Sequence, residues 1–155
     1  MPYRYPWSET LKTLAALRDS DGDPCDGVLL NYVNPWTGGS TLPVLSCSTQ
    51  LLRPGERTQT HRHTSVSKYH VVQGSGLTSV GDTSLEWGPR DFFEVPSWTW
   101  HSHENVGAED AILFSMSDWP LLKPFGYYRE EVKGQRGARE RSELFGPALS
   151  GRRPS

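Results

Sequence analysis

Cysteine is nearly absent: Cys25 and Cys47 are the only two in 155 residues. Two thiols build neither the disulfide framework of a small secreted scaffold nor a four-cysteine zinc site. No apolar run comes near the roughly 18 residues that a membrane-spanning helix needs, so no membrane partner is expected. The opening MPYRYPWSET lacks a basic stretch followed by an apolar one. A secretory leader is therefore not expected, and the chain reads as cytoplasmic. Excess charge of one sign is missing too. Sixteen Lys and Arg stand against 18 Asp and Glu, a net −2, which argues against nucleic acid as a partner. No internal repeat is present. What the chain does have is 15 Gly, 12 Pro and six Trp, a composition of turns and strands. At this length one domain with its own core is expected.

One short helix opens the chain. Ser8 is the expected N-cap, Glu9 suits the first turn, and Pro6 blocks extension backward. Leu11, Leu14, Ala15 and Leu17 share a face, and the helix should end near Asp19. It reads as a lid or brace with no chemistry of its own. From Val28 the pattern changes to short strands: Val28–Tyr32, Val44–Leu52, Tyr69–Gln73, Leu77–Val80, Ser84–Trp87, Phe92–Val95, Trp100–Asn105 and Ala111–Met116. Gly, Pro and Asp punctuate them, and no helix alternates with them, which favours a sandwich, jelly roll or small barrel. The stretch Lys133–Ser155 carries six basic and two acidic residues among Gly, Ser and Pro. It reads as a flexible tail, or alternatively as a docking arm anchored by Leu144 and Phe145. The expected division is 1–27 for the helix and lead-in, 28–131 for an all-β barrel, and 132–155 for the tail.

The five histidines, 61, 63, 70, 101 and 103, include two of the form His-x-His. In a strand, residues two apart point to the same face. His61 and His63 can therefore aim two imidazoles at one point, and so can His101 and His103. A third ligand would come from a distant strand, brought near when two sheets fold face to face. Neutral imidazoles suit borderline divalent ions such as Fe, Mn, Ni, Cu or Zn. His70 has the wrong parity for the pocket.

The segment LLRPGERTQTHRHTS (51–65) and the run DFFEVPSWTWHSHEN (91–105) together match the two motifs of the cupin superfamily. With NPWTGG (34–39), YHVVQGSG (69–76), LFSMSDWPL (113–121) and GYYREE (126–131), the chain resembles the gentisate 1,2-dioxygenase family, with its salicylate and 1-hydroxy-2-naphthoate dioxygenases. The likeness covers roughly residues 3 to 131. It resembles the C-terminal type of barrel in a family usually built of two barrels, but with an intact His-Arg-His.

That resemblance implies a single jelly-roll barrel with His61, His63 and His101 as metal ligands and Fe(II) as the metal, other divalent transition metals remaining open. It implies an enzyme that opens the ring of a hydroxylated aromatic acid with O₂, and a homo-oligomer. His103 is the expected acid–base or hydrogen-bonding neighbour of the ligands, or else a polar residue at the barrel mouth held by Glu104 or Asn105. Gln59, Tyr69 and Trp98 are the expected substrate-binding residues. One departure matters: where the family's catalytic barrel has an arginine for the substrate carboxylate, this chain has Tyr69, which offers a hydroxyl but no charge. Two other functions fit the residues: a metal-binding barrel of other chemistry, such as an isomerase or other oxygenase, and a non-catalytic binding or regulatory barrel.

Overall fold

Most strands stop at or near a Gly, Pro or Asp, as β4 does at Gly74, β5 at Gly81, β6 at Gly88, β7 at Pro96 and β9 at Asp118. The structure is a computed structural model, and it describes residues 4–138. Among these, ten strands form two five-stranded antiparallel sheets. The first holds, in spatial order, β1 (Val28–Asn31), β2 (Ser46–Leu52), β9 (Ala111–Ser117), β4 (Ser67–Gln73) and β7 (Phe92–Val95). The second holds β10 (Glu130–Val132), β3 (His61–His63), β8 (His101–Asn105), β5 (Gly76–Val80) and β6 (Thr83–Trp87). This is the expected all-β jelly roll.

The core lies between the sheets. Leu52, Tyr69, Val71, Val95, Ala111 and Leu113 of the first sheet pack with Trp87 of the second. The opening helix α1 (Trp7–Leu17) braces the barrel by burying Leu14 against Val28, Leu51 and Ile112. Burying that leucine is worth about 2 kcal/mol. The helix differs from expectation at its start. Pro6 is the N-cap, and its carbonyl accepts from the Glu9 and Thr10 amides, so no Ser8 side-chain cap forms. Proline's fixed φ, here −62°, lets it occupy that flanking position.

The structure adds β10, whose three residues pair with β3 as Glu130↔His63, Glu131↔Arg62 and Val132↔His61. Val132 is buried, so the ordered body runs past the expected boundary at 131. The remainder of the expected tail from 139 onward, with Leu144 and Phe145, lies outside the described residues. Between β9 and β10 sits a short helix, α2 (Trp119–Leu122). Gly76 allows β5 to lie close to β8, since a Cβ there would stand 2.2 Å from the Glu104 carbonyl oxygen. That pairing sets Thr78 opposite His103.

Candidate metal centre

Strand parity puts His61 and His63 on the inner face of β3, with Arg62 between them on the outer face. His101 opens β8 and is the direct register partner of His61. The third histidine thus comes from the neighbouring strand of the same sheet. The expectation that it would come from across the barrel is corrected, because His61 and His101 are far apart in sequence yet adjacent in the ladder. All three are buried, and their ring nitrogens lie within 4.8 Å of one another. Ring centroids are 4.1 Å apart for His61 and His101, and 4.9 Å for His63 and His101.

One device orients all three rings. Nδ1 of His61 bonds the Gln59 carbonyl at 3.1 Å, Nδ1 of His63 the Ser65 carbonyl at 2.9 Å, and Nδ1 of His101 the Thr99 carbonyl at 2.9 Å. A carbonyl only accepts, so each Nδ1 carries the hydrogen and each Nε2 keeps its lone pair. Nε2 of His101 is buried and has no hydrogen-bond partner. Burial, and then the imidazoles of His61, His63 and His103, push the His101 pKa well below its ordinary 6.5. Three neutral, pre-oriented Nε2 donors fit a divalent transition metal, and the backbone carbonyls are the outer partners that metal-bound histidines commonly have.

Beside these rings is a cavity lined by His61, His63, Asp26, Leu29, Ser48, Gln50, Ser67, Tyr69, Ser115, Ser117, Trp119 and Glu130. Its polar floor comes from sheet register: Ser115 of β9 faces both Ser48 and Tyr69, and Ser117 faces both Ser46 and Ser67. Two carboxylates reach it, Asp26 at 8% exposure and Glu130 at 2%. Glu130 accepts a 2.7 Å bond from the Tyr128 hydroxyl. Among the described residues, no Lys or Arg lines the cavity. Arg53 binds Glu56, Arg57 pairs with Glu104, and Arg62 pairs with Glu131. The cavity holds about 20 Å³, roughly the space of one water. Trp119 is shared between this cavity and a larger, mostly apolar surface groove that also includes Leu42, Pro43, Pro120 and Lys123.

The other expected site residues divide. Tyr69 lines the cavity, stacked on Phe93 at 5.0 Å and tilted against His103 at 4.7 Å. His103 is fully buried and does not line the cavity. Its Nδ1 lies 2.8 Å from Thr78 Oγ1, which also accepts from the Trp87 indole at 2.9 Å. Neither Glu104 nor Asn105 holds it, because its side chain faces the core next to Thr78. Gln59 turns its side chain to solvent, and its contribution is the carbonyl on His61. It lies in the irregular stretch before β3, where alternation does not apply. Trp98, whose φ is 57°, stacks on Arg62 and does not line the cavity. His70 sits on the outer side of β4, opposite Phe92 and Phe114. The sequence reading missed Asp26, Gln50 and Glu130. For Gln50 a signal existed: Ser46, Ser48 and Gln50 form a polar face on one strand, and the structure buries all of that strand but Cys47.

Stability should depend on pH through the buried imidazoles of His101 and His103. Burial, and then His61, lower the His103 pKa to about 3, while an unfolded histidine titrates near 6.5. Below that value the unfolded chain takes up more protons than the folded one, so stability is full above about pH 6.5 and falls as the pH drops. We expect the metal-free protein to melt about 5 °C or more lower at pH 5 than at pH 8. Thermal scans across that range check it, and a flat Tm would contradict it.

Comparison with known proteins adds relatives. Residues 48–117 match the family model of the cupin domain. A 5-aminosalicylate 1,2-dioxygenase of Comamonas sp is 49% identical over 131 residues, which make up 83% of this chain and 35% of that protein. A 5-nitrosalicylic acid 1,2-dioxygenase of Bradyrhizobium sp is 30% identical over 148 residues, 89% of this chain and 70% of that one. The solved salicylate 1,2-dioxygenase from Pseudoaminobacter salicylatoxidans, in adducts with gentisate, superposes with a TM-score of 0.76 at 29% identity. That match covers 84% of this chain and 37% of the other. The chain spans about a third of the length of several curated relatives it matches.

Proposed function

This chain belongs to the cupin family, among the gentisate- and salicylate-type ring-cleaving dioxygenases, and on that premise we propose that it is an Fe(II)-dependent dioxygenase acting on a hydroxylated aromatic acid. The observation that carries the reading is the convergence of three buried imidazoles, each fixed by an Nδ1 bond to a backbone carbonyl. His61, His63 and His101 would hold the metal. Fe(II) held there would supply the redox chemistry for reaction of the aromatic ring with O₂.

The protein's own residues bind and orient. Gln50, Tyr69, Ser48, Ser115 and Ser117 offer amide and hydroxyl groups to substrate oxygens, and Leu29 and Trp119 offer apolar surface to the ring. A cavity of about 20 Å³ is far below the roughly 300 Å³ of a small-ligand site, so a wall must move for a ring to bind. Trp119, shared with the outer groove, is the wall best placed to do so. His103 reaches no substrate on this reading. It holds β8 through Thr78 and so keeps His101 in place. We extend the proposal to a cytoplasmic homo-oligomer, in which the outer strands of the two sheets give a route to self-association.

A metal-binding cupin without ring cleavage is the second reading. It is favoured by one observation, that among the described residues no cationic side chain lines the cavity to receive a carboxylate. The test loads the protein anaerobically with Fe(II) and follows oxygen uptake with gentisate, salicylate, 5-aminosalicylate and 1-hydroxy-2-naphthoate. Uptake coupled to a ring-opened absorbance is the expected result. Bound iron with no uptake for any of them supports the second reading.

A further inference from the structure

We infer that Arg62, which stands between two of the proposed metal ligands but faces away from them, is a positioning residue that sets the geometry of the metal centre. The inference rests on the three-histidine metal reading above. β3 has three residues, and although β10 pairs with all of them, it shares a single register pair with β8, the strand that carries the third histidine. Two ligands on so short a strand need another restraint.

Arg62 supplies one. Its guanidinium carbon lies 4.2 Å from the Trp98 ring centroid and 4.4 Å from that of Trp100. Its Nε and Nη2 donate to Glu131 Oε2 of β10 at 3.0 and 2.7 Å. One side chain therefore ties together three segments: the strand carrying His61 and His63, the loop that delivers His101, and the flanking strand β10. Trp100 is the residue immediately before His101, so a shift of its ring carries the third ligand with it.

Two further bonds join the same loop to the end of β3. The Trp98 amide donates to the His63 carbonyl at 2.7 Å, and the Ser97 hydroxyl to the Thr64 carbonyl at 2.6 Å. Trp98 has φ +57°, a conformation that a non-glycine residue keeps only where its surroundings hold it. The stacking explains why arginine is required. A planar guanidinium can contact two indoles and a carboxylate at once, whereas a lysine ammonium is a compact point charge. The half-buried, solvent-screened ion pair alone would contribute little, so the stack and the shared geometry carry the effect.

The test compares wild type with Arg62→Met and Arg62→Lys. Three quantities are read: Co(II) affinity by chelator competition, the visible spectrum of the cobalt protein, and the Tm of the metal-free protein. We expect Arg62→Met to weaken cobalt binding by about 10- to 100-fold, the range typical of residues that orient ligands. Its cobalt bands should shift, and Arg62→Lys should recover only part of either change. If Arg62→Met does not fold, Trp98→Leu removes one stacking partner and is held to the same expectation. Unchanged affinity and unchanged bands in the variant, with or without a lower Tm, overturn the inference and leave the metal reading intact. A wild type that binds no cobalt overturns the metal reading and this inference with it.

Discussion

Replacing His101 with alanine should cut divalent-metal affinity by more than about 100-fold, beyond what loss of an orienting partner costs. One of three ligands disappears, and nothing nearby replaces it: the only His, Cys, Asp and Glu cluster with ligand spacing among the described residues is His61, His63 and His101. His61→Ala and His63→Ala should behave alike. The folded body should survive, with a distinction between substitutions. His101→Ala opens a cavity at a fully buried position, whereas His101→Leu refills it and removes a buried nitrogen that has no protein partner. The leucine variant should therefore melt several degrees above the alanine variant when both are metal-free, though neither binds metal. His103→Asn should keep most of the metal, since His103 bonds Thr78 and stands outside the cluster. Metal content on purified samples, with melting curves beside it, checks all of these. Full metal retained by all three alanine variants would refute the assignment.

The second large effect concerns charge. An aromatic acid arrives as an anion, and the cavity wall presents two buried carboxylates, Asp26 and Glu130, with no Lys or Arg. On the proposed function, a substrate carboxylate would find its counter-charge among the described residues only at the metal. On the proposed function, the two carboxylates beside the wall's hydroxyls and amide would favour donor substituents such as amino or hydroxyl over nitro or a second carboxylate. Glu130→Gln and Asp26→Asn should each raise affinity for 5-nitrosalicylate relative to 5-aminosalicylate by about tenfold, the scale of one partly screened charge. Anaerobic titration of the metal-loaded protein with both acids measures that ratio. Equal ratios in wild type and both variants would show that these carboxylates do not select the ring. The comparison is pointed because relatives of this chain are named for each of the two acids.

Several features were legible in the sequence because they depend on the backbone alone. The alternation of a strand puts His61 and His63 together and sends Arg62 the other way, whatever the strand packs against. The same rule puts Tyr69 inward and Lys68 outward, where Lys68 pairs with Glu94. It failed where the chain leaves regular structure. Gln59 lies two residues before His61, yet its side chain faces solvent, and Trp98 adopts a positive φ in a loop. β10 was missed because a three-residue strand with two glutamates carries no apolar period.

Composition, turn residues and histidine spacing thus determined an all-β barrel with a histidine pair aimed at one point, since these follow from local sterics and a period of two. Closure of the fold decided the rest. Only the antiparallel register of β3 with β8 brings His101 beside His61 across forty residues of chain. Only the meeting of the Asp26 turn, the β2, β4 and β9 faces, and β10 makes an acidic, cation-free cavity. Those contacts join segments distant in sequence, and long-range pairing is set by the packing of the whole core, which no local window of residues encodes.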